Sequence, residues 1–143
     1  MGCNKNRYQK SVARTYNNAS QEITATPSAL TLVGNVSVNT GCSIEIGTGS
    51  YRLNYSGLYH ISADVTLTAT AAGTALVQLA VNGTVLPCAV SSATMAAAGV
   101  YTLHVETDIC AGVCAVNKPV ITVLAGGVAG TVTHVCAGVT KIA

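Results

Sequence analysis

The chain has 143 residues, of which half are apolar and only 8% are charged, and it contains neither Phe nor Trp. An average soluble domain has about a quarter charged residues, whereas a disordered chain is rich in charge and poor in apolar residues. This composition excludes a disordered protein. Because Glu, Lys and Arg are scarce, it also argues against a protein of long helices. The length is that of one domain, and no run of roughly 18 apolar residues predicts a membrane span.

Charge is distributed unevenly along the chain. Four bases fall within the first 14 residues, and the first acid is Glu22. From residue 15 onward there are three bases and five acids, a net charge of −2. A basic segment therefore precedes a slightly acidic body. Since monomers usually stay soluble through dispersed charge, the low total charge favours a chain that lives in an assembly.

Residues 1–20 are predicted to be an extended basic arm. They show neither helical nor strand periodicity, and they lack the apolar region of a secretory signal, so no signal peptide is expected. Two interpretations remain open: a disordered tail, or an arm that orders against a neighbouring subunit or larger surface. The candidate residues of an assembly arm are Cys3, Lys5, Arg7, Tyr8, Arg14 and Tyr16. Because nearby bases favour its thiolate, Cys3 is the candidate for a cross-link between subunits.

Short runs of β-forming residues begin at Gln21 and continue to the end of the chain. The first are QEITAT, ALTLV and CSIEIG, separated by Pro, Gly and Asn. The clearest strand is GLYHISADVTLTAT, which alternates strictly between two faces. Its apolar face carries Tyr59, Ile61, Ala63, Val65 and Leu67, and its polar face carries His60, Ser62, Asp64, Thr66 and Thr68.

The second half of the chain repeats this pattern. TALVQLAVN runs into Asn82-Gly83, the strongest short hairpin signal, and VLPCAVS returns from that turn. VYTLHVETD, VITVLAG and TVTHVCAGVTKI supply the remaining strands. We expect a buried core that includes Tyr59, Ile61, Val65, Leu79, Tyr101 and Leu103. About eight to ten strands without an intervening helix predict an antiparallel all-β sandwich or barrel over residues 21–143.

Catalytic patterns are absent from the sequence. No GxSxG, HExxH, P-loop or GxGxxG motif occurs, and five acids without an aromatic platform do not suggest sugar hydrolysis. His60 and Asp64 share a strand face, which allows an imidazole–carboxylate pair, although a polar outer face or a subunit contact is the simpler interpretation. We therefore expect no enzyme activity, no catalytic, cofactor-binding or metal-binding residues, and no nucleic-acid or membrane partner.

The chain contains six cysteines, which could form disulfides, bind a metal or be buried as free thiols. Cys110 and Cys114 are more widely spaced than a usual zinc pair, but a disulfide between them is feasible and would rigidify their loop. Cys42, Cys88 and Cys136 fall within strand patterns, where a free cysteine behaves as a small buried apolar residue.

Several of these strands carry a family resemblance. The run Gly57–Val65 resembles the G-x-Y-x-[IV]-S-A strand of the tumour-necrosis-factor/complement globular-head superfamily. Leu79–Gly83 is similar to the apolar strand that ends in Asn-Gly in that superfamily, and His134–Ile142 is similar to its last strand. The match covers roughly residues 30–143. It implies a ten-stranded jelly roll that associates as a tight trimer.

The resemblance also implies a structural role, because bacterial and phage members often lie on fibres, capsids and spore coats. The first hypothesis is a homotrimeric virion module, a head-fibre, decoration or tail-associated protein that its arm attaches to the particle. The alternative is a subunit of a disulfide-linked spore-surface or appendage filament, built from jelly rolls joined by N-terminal arms. Expected partners are copies of the chain and capsid, fibre or spore-coat proteins. The expected location is a virion surface or a spore or cell surface, and an exposed end that binds a receptor or glycan is a secondary expectation.

Overall fold

A computed structural model describes residues 10–112 and 118–143 of the chain. These residues form twelve β-strands and no helix, so this part of the chain has no helix that could cross a membrane. The strands are β1 (Val12–Asn17), β2 (Gln21–Ile23), β3 (Ser28–Ala29), β4 (Asn35–Thr40), β5 (Ile44–Ile46), β6 (Tyr51–Leu53), β7 (Gly57–Ala69), β8 (Gly73–Val81), β9 (Thr84–Met95), β10 (Gly99–Ala111), β11 (Val120–Gly126) and β12 (Gly130–Lys141).

The strands form two antiparallel sheets that pack face to face as a jelly-roll sandwich. The first sheet has the order β10-β7-β12-β1-β4, and β2 also pairs with β12. The second has the order β5-β6-β11-β8-β9, and β3 also pairs with β11. The predicted all-β jelly roll is confirmed. Three of the twelve strands, β1, β4 and β6, were not among the predicted ones, and β6 has only three residues.

Alternation in the long strands places the core between the sheets. All five apolar residues predicted for the inner face of β7 are buried. Leu79 on β8 is also buried, with an exposure of 0%, and Leu103 on β10 is buried as predicted. Tyr101, also predicted to be buried, is only half-buried, and its hydroxyl donates to the Ala97 carbonyl at 3.1 Å near the beginning of β10.

The predicted hairpin at Asn82-Gly83 connects β8 and β9. Both residues have positive φ, 51° and 82°, as a two-residue type I′ turn requires. Gly83 tolerates this conformation without strain because it has no Cβ. The turn fixes the register in which Val81 pairs with Thr84.

The predicted boundary between arm and domain at residue 20 is wrong. Val12–Asn17 forms β1, which pairs with β12 on one side and with β4 on the other. The strand escaped sequence analysis because its inward face carries the polar residues Ser11, Thr15 and Asn17 and only one apolar residue, Ala13. The first strand of the jelly roll therefore begins at residue 12, and residues 1–9 of the predicted arm lie outside the described residues.

Candidate functional site

Polar and charged side chains are concentrated on the outer face of the first sheet. Strands β7 and β10 pair over their whole lengths, which places His104 opposite Asp64 and Asp108 opposite His60. Glu106 lies between these two pairs on β10. The alternate residues Ile61, Ala63 and Val105 point inward and are buried. The sheet therefore presents two imidazoles and three carboxylates together on one face.

Four contacts join these five side chains into a line, which we call the His–acid ladder (His60, Asp64, His104, Glu106 and Asp108). His104 Nδ1 lies 2.7 Å from Asp64 Oδ1, and His104 Nε2 lies 3.4 Å from Glu106 Oε2. The same Glu106 oxygen lies 3.5 Å from His60 Nε2, and His60 Nδ1 lies 2.6 Å from Asp108 Oδ1. Each imidazole thus faces a carboxylate at both of its ring nitrogens.

This arrangement suits protonated imidazoles. A neutral imidazole has one N–H and one lone pair, whereas an imidazolium donates from both nitrogens, and an ionised carboxylate only accepts. All four contacts are therefore hydrogen bonds or ion pairs only when both rings are protonated. The hydrogen bond to Asp64 raises the pKa of His104; its slight burial opposes the rise, and the contact with Glu106 adds to it.

The pair considered from the sequence, His60 with Asp64, does not form. Residues four apart on a strand are separated by about 13 Å, so these two side chains share a face without touching. Each instead finds its partner on β10, His60 in Asp108 and Asp64 in His104. Sequence analysis missed these partners because the register between β7 and β10 is not visible in either strand alone.

The other half of the same face is formed by β12 and β1. Arg14 on β1 pairs with Gly138 on β12, and a Cβ added to Gly138 would lie 3.1 Å from Arg14 Cγ. The absence of a side chain at residue 138 thus leaves room for the Arg14 side chain. Among the described residues no carboxylate lies within ion-pair distance of Arg14.

Tyr16 and His134 lie near each other on this half of the face. Their ring centroids are 6.5 Å apart, with a tilt of 31°. His134 Nδ1 is hydrogen-bonded to Asn18 Oδ1 rather than to a carboxylate. The third histidine of the chain is therefore on the ladder's sheet but outside the ladder.

The residues predicted for the assembly arm divide into two groups. Arg14 and Tyr16 belong to β1 and lie within the first sheet. The other four, Cys3, Lys5, Arg7 and Tyr8, lie outside the described residues. The structure thus assigns two of the six to the jelly roll itself.

The cysteines differ from expectation. Cys110 is free and exposed near the end of β10, and Cys114, its partner in the predicted disulfide, lies outside the described residues. Cys88 and Cys136 are free but exposed rather than buried, because their neighbours Ala89, Val135 and Ala137 occupy the inward positions. Cys42 is half-buried and disulfide-bonded.

A largely apolar groove of about 460 Å³ opens between the β8–β9 hairpin and the end of β10. Its lining includes Val81, Leu86 and Ile109, with Asn82 and Cys110 as polar members. It contains no His, Asp or Glu. Within residues 10–112 and 118–143, no group of three or more His, Cys, Asp or Glu side chains is arranged to hold a metal ion.

Comparison with solved structures identifies the fold. No protein-family model matches the chain, and no curated protein matches it. The structure is similar to the globular domain of zebrafish complement 1qA protein, with a TM-score of 0.67 and 9% identity over 90% of this chain and 94% of that chain. It is similar to murine APRIL at pH 5.0, with a TM-score of 0.62 and 13% identity over 94% of this chain and 100% of that chain. It is also similar to PRD1 vertex protein P5, with a TM-score of 0.59 and 15% identity over 93% and 97% of the two chains. The chain therefore has the jelly-roll fold of the tumour-necrosis-factor and complement globular-head proteins.

Proposed function

We propose that the chain is a structural protein that assembles with copies of itself into a homotrimer on the surface of a virion. The observation that carries this proposal is the jelly-roll fold, which the chain shares with PRD1 vertex protein P5 along 93% of its length. The resemblance to the tumour-necrosis-factor and complement globular-head superfamily implies the trimer.

The charge of the domain supports self-association. Residues 10–143 contain five bases and five acids, a formal net charge of zero. A domain with so little charge and no net charge is poorly protected against association. An assembly that covers part of this surface explains how such a composition is tolerated.

A structural role also agrees with the properties of the His–acid ladder and of the apolar groove. The His–acid ladder lies on a sheet face with about half of each carboxylate side chain exposed, which is unlike the water-excluding pocket of most active sites. The apolar groove has no acid or imidazole to act as a general acid or base. We therefore propose no enzymatic activity and no cofactor.

Light scattering of the full chain after size-exclusion chromatography tests the homotrimer. At micromolar concentration we expect a mass three times that of the 14.4 kDa chain. A monomer mass at every concentration would contradict the proposal. Electron microscopy of the same sample tests the virion role against the filament role, since discrete particles favour a virion module and long fibres favour a filament.

A filament subunit on a spore surface or appendage is the second candidate. The observation that favours it is the set of three exposed free thiols, Cys88, Cys110 and Cys136, any of which is accessible to a cysteine of another subunit. Cys3 in the N-terminal segment would supply the cross-link. Fibres that dissociate on addition of reductant would support this candidate. Fibres that resist reductant would show that disulfides do not link the subunits.

A further inference from the structure

We infer that Cys42 is bonded to Cys3 of the same chain, and that this disulfide is a reducible latch that fastens the N-terminal segment (residues 1–9) to the jelly roll. Cys42 lies in the loop between β4 and β5 and is disulfide-bonded. The other three cysteines that the structure describes are free. Since the chain has six cysteines, the partner of Cys42 is either Cys3 or Cys114, and both lie outside the described residues.

The position of the β4–β5 loop favours Cys3. The two residues that flank the bonded cysteine both contact the beginning of the described chain. Ser43 N–H donates to Ser11 Oγ at 3.1 Å, and a Cβ added to Gly41 would lie 2.9 Å from the Lys10 carbonyl oxygen. Cys3 precedes Lys10 by seven residues, and a segment of that length spans up to about 23 Å. The chain that carries Cys3 therefore starts beside the loop and is long enough to fold back onto it.

Cys114 approaches the same loop from the other edge of the sheet. Strands β7 and β12 lie between β10 and β1, so β10 is three strand spacings, about 14 Å, from the residues that the loop contacts. Cys114 follows Ala111, the last residue of β10, by three residues, which span at most about 10 Å. The two Cα atoms of a disulfide are at most about 7 Å apart. Cys114 could reach Cys42 only through an almost fully stretched segment, and such a segment has lost most of its conformational entropy.

Formation of the latch consists of two thiol–disulfide exchange steps. Lys5, Arg7 and Lys10 lie near Cys3 in the sequence and favour its thiolate. This thiolate attacks a low-molecular-weight disulfide and displaces one of its two thiolates. The Cys42 thiolate then attacks the Cys3 sulfur of the mixed disulfide and displaces the other. Two cysteine thiols are thereby oxidised to one disulfide, their two protons pass to the displaced thiolates, and the external disulfide is reduced to two thiols.

The latch determines whether Cys3 is available to another molecule. While the disulfide is intact, Cys3 is held at the jelly roll of its own subunit and has no thiol to offer. A thiol reductant cleaves the bond to Cys42 and restores both thiols. Only then is Cys3 available for the cross-link considered above for a filament.

Peptide mapping of the full chain tests the pairing. Protein purified without reductant is denatured, its free thiols are blocked with N-ethylmaleimide, and the tryptic peptides are identified by mass spectrometry. Trypsin places Cys3, Cys42 and Cys114 in different peptides, residues 1–5, 15–52 and 53–141. We expect the first two peptides to be joined until reductant is added. A bond between the second and third peptides, or a Cys42 that is alkylated without reduction, would overturn the inference.

Two variants test the latch in the folded protein, and circular dichroism checks that each is folded. In the native wild-type protein, Cys3 should not react with N-ethylmaleimide before reduction. Cys42→Ser should make Cys3 reactive. The matched control C88S removes one of the free, exposed thiols and should leave Cys3 unreactive. A reactive Cys3 in the wild-type protein would contradict the latch.

Denaturing electrophoresis without reductant tests whether the bond lies within one subunit. We expect a single chain of 14.4 kDa. A band of twice this mass that reductant removes would show that Cys42 is bonded to a second subunit, and the latch would be wrong. Because the denaturant dissociates a non-covalent homotrimer, neither result bears on the self-association proposed above, which light scattering of the native protein tests separately.

Discussion

At the scale of single residues, one hydrogen bond joins the two sheets through the core. Thr15 on β1 and Tyr51 on β6 bond through their hydroxyl groups, and both residues are buried. Burial raises the pKa of Tyr51 to about 12, while the bond to Thr15 works in the opposite direction. When a buried hydroxyl loses its hydrogen-bond partner, the cost of removing it from water is no longer offset, and the folded state is destabilised.

Thr15→Val should therefore destabilise the protein by about 1–3 kcal/mol, because it leaves the Tyr51 hydroxyl without this bond. The matched control is T102V, which removes an exposed hydroxyl from the outer face of β10. Its effect should be within about 0.5 kcal/mol of zero. Urea denaturation measures both. Equal stability of the two variants would show that the inter-sheet bond contributes nothing.

A second residue-scale prediction concerns His104. Its pKa is raised in the folded protein, chiefly by Asp64, so protonation of His104 stabilises the fold at low pH, and this contribution is lost as the pH rises through the folded-state pKa. Asp64→Asn should lower the pKa of His104 towards about 6.5. An NMR titration of the imidazole signals measures this change, and the His134 signal is the internal control. An unchanged His104 titration in D64N would refute the assigned cause.

At the scale of elements, the inward-facing residues of β7 and β1 explain why the sequence predicts the first strand and not the second. β7 was predicted correctly because an apolar residue occupies every inward position from Tyr59 to Leu67. β1 has the same alternation in burial, but its inward positions, Ala13, Thr15 and Asn17, hold only one apolar residue. Hydrophobic periodicity cannot reveal a strand whose buried side chains are polar and hydrogen-bonded. Asn17, for example, donates to the Thr31 carbonyl at 2.9 Å.

The position of β1 leads to a prediction about truncation. A chain that begins at residue 18 lacks β1, so it loses the pairing of Val12–Asn17 with both β12 and β4. Its buried polar partners, Tyr51 among them, would lose their bonds as well. We expect this chain to be unfolded or aggregated. A chain that begins at residue 10 keeps every described strand and should melt cooperatively by circular dichroism. Cooperative melting of the shorter chain would mean that β1 is dispensable.

At the scale of the whole molecule, the outer face of the first sheet combines residues that are far apart in sequence. Arg14, Asp64 and Asp108 lie on β1, β7 and β10, and only the pairing of these strands around β12 places them on one surface. The sequence could indicate a polar strand face at His60–Thr68. The sequence could not indicate which strands pair with this one or which of their residues lie on the same face, because strand order in a jelly roll is set by long-range pairing. The ladder was therefore not predictable, although the fold was.

The last prediction concerns residues 1–9 as the means of attachment. Removing them takes away Cys3, Lys5 and Arg7 and leaves the domain with a formal net charge of zero. If self-association is a property of the jelly roll alone, the chain that begins at residue 10 should still form the homotrimer. It should no longer join a larger particle or filament, because the basic groups and Cys3 proposed for that contact are gone. Co-sedimentation of each chain with the particle or filament measures attachment, and light scattering measures the trimer.

Two point variants separate charge from covalent linkage in the same assay. Cys3→Ser should abolish attachment that survives detergent but not attachment in its absence. K5Q/R7Q should weaken attachment more at low salt than at high salt, since salt screens charge contacts between exposed groups. R52Q alters an exposed basic side chain within the jelly roll and is the control for K5Q/R7Q. Full attachment of the chain that begins at residue 10 would leave the N-terminal segment without a role in assembly.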